Sequence, residues 1–103
     1  MTPTEAAWLA GILEGEGYFK PSGRSPEVSV EMTDQDVIER AATLMGGCVK
    51  DRPIRGEHRP AWRVRVYGPR AIAVMIEVLP HMGSRRSARI LDVIGDFYRS
   101  EDR

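Results

Sequence analysis

Two carboxylates set two residues apart, Glu14 and Glu16, each followed by glycine in the run Glu14-Gly15-Glu16-Gly17, are the clearest chemical signal in this sequence. The stretch before them predicts a helix: Thr2 as cap, Pro3 in the first turn and Glu5 completing a capping box, with an end at the Gly15–Gly17 cluster. A helix C-terminus is already negative, so two further acids there are unfavourable without compensation. The other candidate chemistry is cationic. Trp62-Arg63-Val64-Arg65-Val66-Tyr67 alternates strictly, which puts Arg63, Arg65 and Tyr67 on the outward face of a strand.

The elements that must position these groups read in the order α-ββα-ββα-α. The first helix is apolar or small on every side between Glu5 and Glu14, which predicts burial all round, partly against another subunit. Tyr18–Lys20 and Glu27–Met32 read as strands, the second with Val28, Val30 and Met32 inward. A second helix follows Thr33–Asp36, with Val37, Ile38, Ala41 and Leu44 on one stripe and Gly46-Gly47 as its stop. Cys48 to Arg52 is a further strand, joined by a polar loop to the Trp62–Tyr67 strand. Gly68-Pro69 opens a helix with Ile72, Met75, Ile76 and Leu79 on one face. The last helix, from Ser84 to about Arg99, turns Ala88, Leu91, Ile94 and Phe97 or Tyr98 to the core. Trp8, Trp62, Met75 and Met82 are assigned to packing.

The chain of 103 residues suits a single domain, residues 1–103. Its 42% hydrophobic and 29% charged content excludes a disordered chain. The longest uncharged apolar run, Ala6–Leu13, is far short of a membrane span, and no basic-flanked leader is present, so a cytoplasmic protein is expected. One cysteine, Cys48, allows neither a disulfide framework nor a zinc cluster. The zero net charge hides an asymmetry. Residues 1–49 carry 3 basic and 8 acidic groups; residues 50–103 carry 12 and 7. Thirteen of the 15 basic residues are arginine, the side chain suited to bidentate contact with phosphate and guanine.

Leu9 through Gly17, in the context Trp-Leu-Ala-Gly-Ile-Leu-Glu-Gly-Glu-Gly-Tyr-Phe, resembles the nine-residue signature of the LAGLIDADG homing endonucleases. One copy in a short chain is similar to the single-motif members, which act as homodimers. The αββαββα order of that family matches the order read above, with an extra helix at the C-terminus. The resemblance implies an α+β fold with an antiparallel DNA-binding sheet and helices on its other face. It also implies a source in mobile introns, inteins or phage genomes. Small residues at four-residue spacing, Ala7, Gly11 and Gly15, line one helical face that Ala10 widens, and let two backbones cross closely about a two-fold axis.

Carried over residue by residue, the resemblance makes Glu16 the metal-binding and catalytic acid, with the Gly15 carbonyl as a further oxygen ligand for Mg²⁺ or Mn²⁺. The family's common residue there is Asp, and this chain departs from it by one methylene. The first acid, Glu14, is expected to cap or to bond across the interface formed by Ala7, Ala10 and Gly11. A basic residue near the start of the last helix, Arg85 in preference to Arg86, is expected near the scissile phosphates. The implied partners are double-stranded DNA and a second copy of the chain, with no membrane and no small-molecule cofactor. Expected DNA contacts are Lys20, Arg24, Lys50 (or Cys48, depending on register), Arg52, Arg55, Arg59, Arg63, Arg65 and Tyr67, with His58 in the same loop. Two other functions fit the same residues: a DNA- or RNA-binding module without chemistry, such as a splicing factor or regulator, and a small dimerisation or ligand-sensing domain.

Overall fold

The computed structural model describes residues 1–53 and 60–101, and the side chains of Arg52, Pro53 and Glu101 lie outside what it describes. The elements are α1 (Pro3–Glu16), β1 (Gly17–Lys20), β2 (Glu27–Met32), α2 (Gln35–Met45), β3 (Val49–Pro53), β4 (Pro60–Tyr67), α3 (Gly68–Val78), a 3₁₀ turn (Leu79–His81) and α4 (Ser84–Glu101). The fold is α+β, in the order read from the sequence. Among the described residues, no helix is long and apolar enough to cross a membrane.

The strands form one antiparallel sheet in the order β1-β2-β4-β3. Its two central strands therefore come from different halves of the chain. Val30 pairs with Val64 and Val28 with Val66 across the middle, and Phe19 lies opposite Val28. These side chains point to one face, where α1, α2 and α3 cover β2 and β4 and α4 packs on β1. The core they close includes Leu9, Leu13, Phe19, Ile38, Met45, Met75 and Ile90, each essentially inaccessible. Full burial of such a side chain stabilises by about 1.5–3 kcal/mol. Trp8, Trp62 and Met82 pack at the edge of this core, and Met75 lies inside it.

The expected capping box is present. Thr2 Oγ1 accepts from the Glu5 N–H at 3.1 Å, and Glu5 Oε1 accepts from the Thr2 N–H at 2.7 Å. That hydrogen bond to the Thr2 backbone holds the Glu5 carboxyl below its ordinary pKa. At the other end α1 passes into β1 with no intervening residue. The Gly17 N–H bonds the Leu13 carbonyl, and a Cβ on Gly17 would lie 2.7 Å from that oxygen, so only glycine fits the joint. Helix α2 ends at Gly46, whose φ of 77° is the left-handed conformation that stops a helix.

Helix α1 buries Ala6, Leu9, Ala10 and Leu13 within its own chain and turns Ala7, Gly11 and Gly15 outward, the side on which another subunit was expected. Three apolar stripes differ from expectation. Helix α2 buries Ile38, Ala41, Ala42 and Met45, with Val37 and Leu44 only half-buried. In α3, Ile76 is exposed while Ala71, Ile72, Val74, Met75 and Val78 are buried. In α4 the buried stripe is Ile90, Val93 and Phe97, and Ala88 and Leu91 are exposed. Polar contacts select that α4 register. Arg89 Nε donates to the Phe19 carbonyl at 3.0 Å, and Asp96 accepts from the Gly23 N–H at 2.9 Å. Both lie on the face shared by Ile90, Val93 and Phe97, so the helix turns that side to β1.

Candidate active site and nucleic-acid interface

The two acids at the end of α1 have different surroundings. Glu14 is engaged within its own chain: Oε1 accepts from the Gly83 N–H at 2.6 Å, just ahead of α4. Arg86 Nε donates to the Glu14 carbonyl at 3.1 Å and lies 3.9 Å from its carboxylate, with the guanidinium 5.7 Å from the Phe19 ring. The compensation that this negative helix end needs thus comes, for Glu14, from the start of α4. Of the two roles expected for Glu14, capping or a bond across an interface, the single chain shows the carboxylate bonded within its own chain.

Glu16 is the acid left over. It is exposed and makes no hydrogen bond or ion pair to any described residue. It opens onto a shallow cleft of about 290 Å³ in the outer face of the sheet, shared with Tyr18, Glu27, Ser29, Glu31, Arg63 and Arg65. Gly15 is exposed beside it, and its carbonyl lies beyond the last intrahelical donor, the Gly17 N–H, which serves Leu13. One carboxylate and one helix-terminal carbonyl are hard oxygen donors that suit Mg²⁺, which is commonly held by one or two carboxylates plus substrate phosphates. Among the described residues, no group of three His, Cys, Asp or Glu side chains converges on a cation site. Glu16 and the Gly15 carbonyl are the oxygen donors that one chain presents at this point.

The sheet's outer face carries the cationic set. Arg63 and Arg65 project there from β4 with Tyr67, as the alternation predicts, and Lys50 lies opposite Arg63 on β3, which settles the register of that strand. Cys48, Lys50, Arg63, Arg65 and Tyr67 line a second hollow of about 100 Å³. Lys20 is exposed opposite Glu27, and Arg24 is exposed in the following turn. Arg52 occupies the strand position opposite Ala61; its side chain, together with Arg55, His58 and Arg59, lies outside the described residues. Arg85 is exposed in the first turn of α4, with no hydrogen bond or ion pair to a described residue.

The acids of β2 qualify this picture. Glu27 and Ser29 are buried at 9% and 7% exposure although they face outward, because the side chains of β1 and β4 close over them. Arg65 Nε lies 3.1 Å from Glu27 Oε2, and Arg65 Nη1 donates to the Tyr67 hydroxyl at 3.1 Å. The Tyr67 bond, with the Glu27 charge beside it, raises the Arg65 pKa further above neutrality. Tyr18, exposed on the outer face next to Glu16, was not singled out from the sequence, and Arg86, considered there only as second choice to Arg85 near the scissile phosphates, holds Glu14. For Tyr18 the signal was its parity with Lys20; for Arg86 it was the unmet charge at the end of α1.

On the opposite side of α1 the stripe of small residues is open. Nothing lies within 4 Å of a Cβ built on Gly11 or Gly15, and Ala7 is exposed in line with them. Ala10, expected to widen that stripe, is instead 1% exposed and belongs to the chain's own core.

No protein-family model matches the chain. The intron-encoded RNA maturase bI4 of Saccharomyces cerevisiae is 40% identical over 48 residues, which span 44% of this chain and 8% of the maturase. Among solved structures, the homing endonuclease I-CvuI in complex with its target in the presence of Ca superposes with a TM-score of 0.64 at 17% identity, over 88% of this chain and 64% of that one. I-CvuI with the I-CreI target in the presence of Mg, its DNA not cleaved, gives 0.63 at 17% identity over 87% and 64%. The archaeal intron-encoded homing endonuclease I-Vdi141I complexed with DNA gives 0.50 at 16% identity over 76% and 53%. The chain thus spans less than two thirds of each of these proteins. Motif, element order and superposition agree: this chain has the fold of the LAGLIDADG homing endonucleases.

Proposed function

We propose that the chain is a homodimeric, site-specific DNA endonuclease that hydrolyses phosphodiester bonds in a near-palindromic duplex with Mg²⁺ or Mn²⁺. One observation carries this reading. Glu16, without a protein partner, opens onto the same cleft as Arg63 and Arg65, while the small-residue face of α1 stands uncovered on the other side. Pairing two chains along that face brings two Glu16 carboxylates together at one end of a continuous cationic surface. Two-fold symmetry in the protein then implies palindromy in the DNA.

Glu16 and the Gly15 carbonyl would hold the cation, which supplies a water activated for attack and stabilises the departing 3′ oxygen. The remaining work falls to the chain's own side chains. Lys50, Arg63 and Arg65 offer donors to base edges and phosphates in the major groove. Lys20 and Arg24 reach outward to phosphates, and Arg85 neutralises charge developing at the scissile phosphate. Arg86 holds the end of α1 through the Glu14 carbonyl, which fixes the backbone from which Glu16 projects.

A binding-only role has one specific observation in its favour, the local identity to an RNA maturase. One experiment separates the two. The chain is offered a random duplex library in Ca²⁺, and the bound pool is then challenged with Mg²⁺. A palindromic consensus cut near its centre, and left whole by Glu16→Gln, supports the endonuclease. A palindrome that is bound and never cut supports recognition alone.

A further inference from the structure

The two arginines of β4 on the outer face are held differently. Arg63 makes no hydrogen bond or ion pair to a described residue. Arg65 is held at two points: its Nη1 donates to the Tyr67 hydroxyl at 3.1 Å, and its Nε lies 3.1 Å from Glu27 Oε2 as an ion pair without a hydrogen bond between them. The strand register explains the brace. Glu27 pairs with Tyr67 and Ser29 with Arg65, so the three polar groups occupy adjoining positions on one face. The Nε is closed off from solvent, and the Glu27 side chain is only 12% exposed against 35% for Arg65. One hydrogen bond, to Tyr67, and the adjacent Glu27 charge thus bias the guanidinium plane before any ligand arrives, with the buried Nε withdrawn from the outer edge.

We infer that Arg65 reads a guanine in the major groove and that Glu27 and Tyr67 determine this specificity by fixing the guanidinium plane. The inference rests on the duplex recognition proposed above. With Nε buried and one Nη1 proton given to Tyr67, the guanidinium keeps two Nη2 protons and one Nη1 proton, which include a pair of parallel donors along its outer edge. Guanine alone offers two adjacent acceptors, O6 and N7, to such an edge; adenine pairs one acceptor with a donor, thymine pairs one with a methyl group, and cytosine presents only a donor. A phosphate carries no sequence information and can be met from many directions, so Arg63, with no partner among the described residues, is assigned that contact. Glu27 is turned to Arg65 and nearly closed off, which makes it a positioning residue and not a reader of cytosine.

The test is selection from a random duplex library in Ca²⁺ with the parent chain, Glu27→Gln, Tyr67→Phe, Arg65→Ala and Arg63→Ala, each checked for an unchanged thermal midpoint. The parent is expected to select one guanine per half-site, favoured about tenfold or more. Arg65→Ala should abolish that preference and Arg63→Ala should keep it. Glu27→Gln should lower it severalfold while tightening binding to non-specific duplex, since it removes a negative charge from the DNA face. Tyr67→Phe, which loses one oxygen only, should lower the preference with no such tightening. A merely structural role for Glu27 would weaken specific and non-specific binding together. A guanine preference that survives both Glu27→Gln and Tyr67→Phe overturns the brace. A cytosine preference lost in Glu27→Gln but kept in Arg65→Ala overturns it by making Glu27 the reader. A parent chain that selects no consensus removes the duplex-recognition reading itself, and this inference with it.

Discussion

Substituting Gly11 by alanine should have opposite effects on the single chain and on its association. In the isolated chain a Cβ at this position meets nothing within 4 Å, and the residue sits in the interior of α1. Replacing glycine there should therefore stabilise the helix by about 0.8–1 kcal/mol. If two copies of α1 cross along Ala7, Gly11 and Gly15, the same methyl enters a close backbone contact twice, once from each chain. Overpacking of that kind costs about 1–3 kcal/mol per site, so association should weaken by about 2–6 kcal/mol. That is a dissociation constant raised by roughly 30-fold to 10⁴-fold. Sedimentation equilibrium over a concentration series reads the second effect, and urea unfolding of the dissociated chain reads the first. A Gly11→Ala chain that is more stable and associates as tightly as its parent would refute the argument, because the stripe would then face solvent in the assembly.

Three further outcomes are expected. Glu16→Gln, which removes an exposed acid with no partner among the described residues, should leave the thermal midpoint and cation-free DNA binding intact and lower Mg²⁺-dependent cleavage by about 100-fold or more; equal cleavage rates would remove Glu16 from the reaction. Arg86→Gln should cost about 1–3 kcal/mol in urea unfolding, because it strips the Glu14 carbonyl of a donor and its carboxylate of a cation, and Arg86→Lys should recover part of this; parity of both variants with the parent refutes the staple. Glu5→Gln should be less stable than the parent at neutral pH. The folded-state pKa of Glu5 is lowered, so its contribution is present above the unfolded-state value and is lost as pH falls through the folded-state value. The gap between the two chains should close in acid, and a gap constant down to pH 3 would refute the linkage.

Element types were readable from the sequence because their signals are local. The Thr2–Glu5 capping box, the glycines that end α1 and α2, and the alternation of β4 all depend on neighbours within a few residues. Which helical face turns inward was less readable. In α4 the apolar residues Ile90, Leu91, Val93, Ile94, Phe97 and Tyr98 cover two overlapping stripes, and periodicity alone does not choose between them. The choice is made by Arg89 and Asp96, whose partners Phe19 and Gly23 lie about 70 residues away in the chain. The same limit applies at the site. The acids at the end of α1 were legible, but the division of labour between them rests on Arg86 and Gly83, contacts that no local pattern encodes. Glu27 shows the limit on the sheet: alternation placed it outward, and only the register across β2 and β4 shows that it is spent on Arg65.

The joint between α1 and β1 has a mechanical meaning. Helix gives way to strand between Glu16 and Gly17 with no residue between them, and the Gly17 turn is wedged against Leu13. Such a connection behaves as a weld and not as a hinge. Any roll or tilt of α1 is handed directly to β1 and, through its pairing, to the rest of the sheet. The angle at which two α1 helices meet would then fix the span between the two sheets, as a carpenter's square fixes the ends of its arms. In the proposed dimer, drift in surface side chains would alter which bases are touched, but not how far apart the two arms stand. Transplants between proteins of this fold should accordingly move α1 and β1 together, since a cut at the weld would join a helix to a strand set at another protein's angle.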